Sequence, residues 1–409
     1  MILTPDMPDM REPEALRAHM RHTLAFYAAR SQDPGGGCFH FYKDDGTVYD
    51  RRSRHLVSST RFVFNHALAW RWFGAPAADA AHALRFVREV HRQPNGGYAW
   101  LLDWREGHAE VLDTAQHCYG LAFVLLAHAH AAEAGVPGAR EGIAETFALM
   151  EQRFWQAGHG LYADEADADW RLSSYRGQNA NMHACEAMLA AHAASGEPHY
   201  LARALQLADA VTRRLAAQAD GLVWEHYRAD WTPDWDYNRH DKTNIFRPWG
   251  FQTGHLSEWA KLLLMLERRL GDTAPEWLFS TAGHLFSTAM ARGWDAAHGG
   301  LAYGFDLQGQ VCDGDKYFWV QAESLAAAAW LAVRSDDEKY WQWYERIWRY
   351  AWTHFIDHEH GAWYRILTPD NRKISDEKSP AGKTDYHTMG ACQDVLAALG
   401  VKPPAQETA

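Results

Sequence analysis

A glycine followed closely by an aromatic residue recurs six times in this chain, and that recurrence constrains the fold more than any other feature. The instances are Gly37 with Phe39, Gly97 with Tyr98, Gly160 with Tyr162, Gly221 with Trp224, Gly300 with Tyr303, and Gly361 with Trp363. The glycines lie 60, 63, 61, 79 and 61 residues apart. Each instance reads as a short turn or hairpin, with glycine supplying backbone freedom before an aromatic-aliphatic run such as YAWLLD or WYRIL. Between the turns, apolar residues recur at three- and four-residue spacing, as in Leu201, Leu205, Leu207, Ala208 and Val211, which is the period of a helix. Helices are expected over about 11–30, 59–73, 76–93, 110–134, 138–156, 176–195, 198–217, 254–271, 275–293, 316–333, 336–357 and 385–399. Gly74 with Pro76, Gly135 with Pro137, Gly196 with Pro198, and Gly271 with Pro275 break the pairs apart. Counting the first helix with the last gives six pairs. Pairs that cannot bury their faces alone close on each other. The expectation is an all-α fold, a single (α/α)6 barrel domain over residues 1–409, with short flexible termini at about 1–10 and 400–409.

Composition narrows the partners. A formal charge of −12 and a pI of about 6.0 argue against nucleic acid or an anionic membrane. No apolar run approaches the roughly 20 residues of a membrane span. The beginning, MILTPDMPDMREPE, has neither a basic nor an apolar leader region, so no secretory signal is expected and the location is read as cytoplasmic. The five cysteines are scattered, without a CxxC pair, which suits a reducing compartment and no zinc module. The sequence is compatible with a monomer or a homo-oligomer. Its 20 Trp offer flat faces suited to a sugar ring, although Trp also fills cores.

The first helix of each interval, after the Gly-aromatic turn, is read as the inner one, so that six helix starts surround one cavity. Those starts carry Arg61, Tyr119, Asn179 with His183, His255 with Glu258, Trp319 with Glu323, and His387. From Arg61 through Tyr119, His183, His255 and Glu323 to His387 the spacings are 58, 64, 72, 68 and 64, so these residues occupy equivalent places in successive repeats. Polar residues at one level of otherwise apolar helices make a ring, and a ring points to a site. The longest interval holds an extra Pro-, Asp- and Trp-rich stretch, RADWTPDWDYNRHDKTNIFRPWG, directly before His255; long ordered loops in compact domains tend to be functional. Blander readings stand beside these. Arg61 can tie two helices through a carboxylate, Asn179 can cap a helix, and Glu186 and Glu323 can be buried salt-bridge partners. His66, His117 and His284 read as packing histidines.

Three chemistries fit such a ring. The i, i+3 pairs His183/Glu186 and His255/Glu258 can grip a metal ion. Paired carboxylates can hydrolyse a glycoside by inversion, but the ring is richer in His than in Asp. Metal-free proton transfer beside a sugar carbonyl suits two histidines, since a neutral imidazole titrates near pH 6.5, with Arg61 steadying the enediolate oxygen. A non-catalytic sugar-binding barrel would keep the Trp faces without needing paired His.

The stretches RFVFNHALA, NANMH, WGFQTGHLSEWAKLLL, the Trp319…Glu323 helix and the terminal DYHTMG resemble the N-acylglucosamine 2-epimerase superfamily, in the family's order and over nearly the whole chain. TRFVFNHALAWRWFG and MHACEAMLAAHAASGEPHYLARAL are most similar to its mannose isomerase and sulfoquinovose isomerase branch. The resemblance implies an (α/α)6 barrel that needs no metal or cofactor and acts on a monosaccharide. It also implies that His387 moves the proton between C2 and C1 through a cis-enediol, while His255 assists ring opening and moves protons between oxygens. Arg61, Tyr119, Asn179, His183, Glu258, Trp319 and Glu323 are implied to hold the sugar. Interconversion of D-mannose and D-fructose is the favoured outcome, with D-lyxose and D-xylulose as a related pair. Inversion at C2 by a sugar 2-epimerase, or sulfoquinovose isomerisation, is the alternative that uses the same histidines.

Overall fold

The computed structural model describes residues 5–28, 30–105, 107–241, 244 and 246–405. Of the segments singled out above, Lys242, Thr243 and Ile245 in the long loop, and 1–4 and 406–409 at the termini, lie outside the described residues. Among the described residues are twelve α-helices: α1 (Pro13–Ala28), α2 (Leu56–Phe73), α3 (Ala77–Phe86), α4 (Cys118–Glu133), α5 (Ala139–Arg153), α6 (Gln178–Ser195), α7 (Pro198–Asp209), α8 (Thr253–Leu270), α9 (Trp277–Gly293), α10 (Phe318–Ser335), α11 (Glu338–His354) and α12 (Tyr386–Ala398). The chain forms two compact units. One comprises Met1–Ser31, Phe41–Tyr49 and Gly250–Ala409; the other comprises Gln32–His40 and Asp50–Trp249.

Each unit repeats one arrangement. In the Asp50–Trp249 unit, α2, α4 and α6 pack side by side, and α3, α5 and α7 each back onto the helix before them. In the other unit α8, α10 and α12 pack side by side, backed by α9, α11 and α1. The first helix therefore pairs with the last, as the count of six pairs requires. Composition explains which helix goes inside. α4 is apolar all round and buried almost throughout from Cys118 to Ala131, and a helix without a polar face must be enclosed. α7 buries only the stripe Tyr200, Ala204, Leu207 and Ala208 and leaves its other side to water.

One expected boundary moves. The helix anticipated from residue 110 begins at Cys118, because His108–Asp113 is a strand paired antiparallel with Leu101–Arg105. Its side chains alternate between exposed and half-buried, a period of two that a helix cannot satisfy. The ends expected for α3 and α7 open into wide π turns at Val87–His91 and Ala210–Leu215.

The Gly-aromatic turns set the level of the inner helix starts. Gly37, Gly160, Gly221, Gly300 and Gly361 have φ of 70, 63, 79, 79 and 93°, where glycine is favoured. Gly97 is fixed by crowding instead, since a Cβ there would lie 2.0 Å from Gln116 Oε1. Polar side chains at or just before the next inner helix then accept from the turn backbone. Gln116 accepts from Tyr98 N (2.9 Å), Asn181 from Tyr162 N (2.8 Å), Gln321 from Leu301 N (3.0 Å) and Asp385 from Trp363 N (3.3 Å). Three turns add an ion pair with a fully buried cation: Asp33–Arg54 (2.6 Å), Asp295–Lys316 (2.9 Å) and Asp357–Lys378 (2.5 Å). Acid and cation are 21 residues apart each time. Asn181 and Gln321, inside two of the motifs read above, are thus scaffold residues.

Candidate active site

At the starts of α8, α10 and α12 the chain gathers an imidazole–carboxylate cluster. His255, Glu258 and Lys261 sit three residues apart on α8 and so share one face; all three are buried. Gly254 before them keeps the backbone bare: a Cβ there would fall 2.2 Å from Trp319 Cζ3. The Trp319 indole lies against that bare turn, with ring centroids 5.0 Å from His255 and 5.7 Å from His387, each at 37°. Its ring is therefore flanked by both imidazoles.

His387 Nδ1 is 2.6 Å from Glu323 Oε1. The other oxygen, Oε2, accepts from Lys261 Nζ at 2.6 Å, and Lys261 also pairs with Asp394 at 2.9 Å. A carboxylate on Nδ1 fixes the ring and makes Nε2 the basic nitrogen of the neutral imidazole. Ligand atoms of Glu258, Glu323 and His387 all lie within 4.8 Å of one another, so three acid–base groups meet at one point.

The approach to His387 is held in an uncommon backbone conformation. Thr384 and Asp385 have φ of 42 and 51°, left-handed values that persist where surroundings enforce them. Asp385 Oδ2 accepts from Tyr27 Oη (2.5 Å) and Lys383 Nζ (2.6 Å), while Oδ1 takes Trp363 N and Thr388 Oγ1. Burial lowers the Lys383 ammonium to a pKa of about 8, with Asp385 opposing the shift.

The starts of α2, α4 and α6 build something different. Arg61 Nη2 donates to Tyr119 Oη at 3.3 Å, and its guanidinium lies 4.5 Å from the Phe123 ring centre. His183 packs edge-on against Tyr119 (5.1 Å) and tilted against Phe123 (4.8 Å), with Nδ1 2.9 Å from Glu186 Oε2. Arg61, Tyr119 and His183, from three helices, thus converge on Phe123. Above them opens a cavity of about 290 Å³, lined by Trp100, His117, Tyr119, Asp164, Glu165, Tyr175, Asn179, Ala180, Asn244, Phe246 and Arg247.

Three of those residues come from the oversized loop, whose returning limb is anchored at several points. Arg247 donates to Glu165 (2.6 Å) and Tyr237 Oη (3.2 Å) and stacks over Tyr175 (4.0 Å). Its carbonyl accepts from Asn238, and the Pro248 carbonyl lies 2.7 Å from His226 Nε2. His226 Nδ1 is in turn 2.9 Å from Tyr175 Oη. At the cavity wall, burial pushes the Asp164 carboxyl up to about 8, against the Gly177 amide and Arg247. At neutral pH it is mainly a neutral acid. Burial lowers the His117 imidazole, opposed by Glu165 at 3.8 Å.

The expected residues therefore fall into two groups. His255, Glu258, Trp319, Glu323 and His387 belong to the acid–base cluster, whereas Arg61, Tyr119, Asn179 and His183 belong to the cavity and its floor. Asn179 is not the cap of α6, which is Gly177; it lines the cavity, its Oδ1 buried without a hydrogen-bond partner among the described residues. Glu323 is the buried salt-bridge partner envisaged, through Lys261. His66 packs on Phe62 beside Cys38, as expected. His117, read as packing, lines the cavity instead, and His284, also read as packing, is exposed on the outer helix α9. Lys261 was overlooked despite a signal, being the lone cation between Trp259 and Leu266 in an apolar helix. Trp100, Asp164 and Tyr175 lie in connecting segments that carry no such signal.

Residues 37–391 match the N-acylglucosamine 2-epimerase (GlcNAc 2-epimerase) family. The chain is 50% identical over 389 residues to a D-mannose isomerase of Marinomonas mediterranea, spanning 94% of this chain and 97% of that protein. A crystal structure of D-mannose isomerase superposes with a TM-score of 0.93 at 49% identity, over 96% of this chain and all of that one. The cellobiose 2-epimerase of Bacillus thermoamylovorans superposes at 0.83 with 20% identity, over 94% and 98% of the two chains, a likeness of fold. That shared fold is the (α/α)6 barrel.

Proposed function

The chain belongs to the N-acylglucosamine 2-epimerase family and is an isomerase, and from that premise we propose that it interconverts D-mannose and D-fructose by imidazole-mediated proton transfer. The observation that carries this reading is His387, whose Nδ1 is bound to Glu323 while its ring and that of His255 flank Trp319. His255 assists opening of the pyranose. His387 Nε2 then takes the proton from C2 of the open-chain aldose, the C2–H electron pair forms the C1–C2 double bond, the C1–O1 π pair moves to O1, and His255 gives O1 a proton that it later recovers from O2. The product of that step is a cis-enediol. Loss of the O2 proton re-forms a carbonyl at C2, and His387 returns its proton to C1, giving the ketose. No electron acceptor is needed, because C2 is oxidised as C1 is reduced. Glu323 orients the base and balances the imidazolium as it forms. Trp319 offers an apolar face to the sugar, and Glu258 a hydroxyl acceptor. At the starts of α2, α4 and α6, Arg61, Tyr119, Asn179 and His183 carry donors and acceptors of the kind that suit sugar hydroxyls.

The 50% identity to a D-mannose isomerase supports the isomerase outcome over C2 inversion. Incubating the protein with D-mannose and separating the products by chromatography tests this directly. Fructose as the main product is expected. Glucose as the main product would replace the proposal with epimerisation, and no turnover of any free aldose would leave only a binding role.

A further inference from the structure

Two carboxylates lie beside His387. Glu323 on α10 holds its Nδ1, and the Glu258 carboxylate on α8 lies within the same 4.8 Å group. Just before its own helix, Asp385 is occupied by Lys383 and by Tyr27 of α1, and on that helix Asp394 lies to one side of Lys261. His255 lies on the Trp319 indole, as His387 does. Two nearby carboxylates stabilise an imidazolium and raise the pH at which the ring loses its proton. A ring that stays protonated cannot act as a base. A cation placed to offset them is Lys261, its side chain 2% exposed, bonded to the far oxygen of Glu323 at 2.6 Å and steadied by Asp394 at 2.9 Å.

We propose that Lys261 is a positioning residue that, by holding the far oxygen of Glu323, keeps His387 neutral and able to accept a proton at neutral pH. The inference rests on the reading of His387 as the base. Lys261 draws charge from the carboxylate while leaving the other oxygen in place to orient the ring, so orientation and basicity are set separately. Asp394 fixes the Lys261 ammonium from its other side.

The test reads the imidazole itself. Long-range ¹H–¹⁵N spectra of the full-length protein, with the His387 signal assigned by its loss in His387→Gln, give the titration midpoint without substrate; the pH profile of fructose formation gives the kinetic counterpart. In Lys261→Met the midpoint rises, and the acid limb of kcat/KM moves up by about one pH unit or more, with kcat at pH 7 falling and KM little changed. Lys261→Arg restores the midpoint. The double variant Lys261→Met/Glu323→Gln, which removes both charges, shifts it below that of Lys261→Met, an opposite direction that misfolding would not produce. An unchanged midpoint in a folded Lys261→Met, or the same upward shift in the double variant, overturns the inference. A wild-type protein that turns over no aldose overturns the reading of His387 as base instead, and the midpoints still decide whether Lys261 controls the ring.

Discussion

The starts of α8, α10 and α12 and the starts of α2, α4 and α6 occupy equivalent places in one repeat, yet their side chains are arranged differently. In the first set Lys261, Glu323 and His387 are buried, and with the half-buried Asp394 they form an unbroken chain of charge-assisted contacts. Such contacts fix ring orientation and protonation state, which proton transfer requires. In the second set Tyr119 and Asn179 line a cavity of about 290 Å³ with an aromatic wall and a loop for its rim, above the buried Arg61 and His183. Open polar groups beside aromatic faces bind and orient a sugar. On the proposed function, the first set would serve chemistry and the second recognition.

Substitutions in the two sets should therefore change different kinetic constants. His387→Ala should have the largest effect, lowering kcat by about 10²–10⁴-fold with an unaltered circular dichroism spectrum; activity within tenfold of wild type would remove His387 from the mechanism. Trp100→Ala, at the cavity wall, should raise KM about tenfold and leave kcat within a few-fold, because it removes binding shared by ground and transition states. A kcat loss comparable to that of His387→Ala would erase the distinction between the two regions.

Asp164→Asn sharpens the comparison through stability. Its folded pKa is raised by burial to about 8, against about 3.9 when unfolded. Between those values the folded protein holds a proton that the unfolded chain has lost. Stability from this group is thus fully present below about pH 4 and is lost as pH rises towards 8. Denaturant midpoints from pH 5 to 9 should fall less steeply in the variant, the difference being at most about 1.4 kcal/mol per pH unit. Parallel curves would mean that Asp164 is ionised throughout. Smallest of all is the expected effect of EDTA on turnover, namely none; loss restored by a divalent ion would turn Glu258, Glu323 and His387 into metal ligands.

The helix pairs, the inner and outer assignment and nine polar positions at the inner helix starts were legible in the chain because each is written in residues close together in sequence. Apolar period, glycine breakers and the Gly-aromatic turns are local, and the repeat multiplies a weak signal six times. The strand at His108–Asp113 escaped because six residues of alternation sit beside a longer helical pattern. The ion pairs Asp33–Arg54, Asp295–Lys316 and Asp357–Lys378 escaped for another reason. Their constant separation is visible in the sequence, but three acid–cation pairs among so many charges gain meaning only once burial is known.

Local periodicity by itself fixed six helical pairs and the level at which polar residues interrupt them. Only the tertiary structure decided how those residues are used: that Glu323 serves His387 and Lys261 at once, that Asn181 and Gln321 hold turns, and that Arg247 bonds Glu165 to close one cavity wall. Lys261 and Glu323 are 62 residues apart, and whether two such side chains meet depends on which turn of one helix stands level with which turn of its neighbour. Packing sets that level, to within the length of a hydrogen bond, and hydrophobic period alone does not encode it.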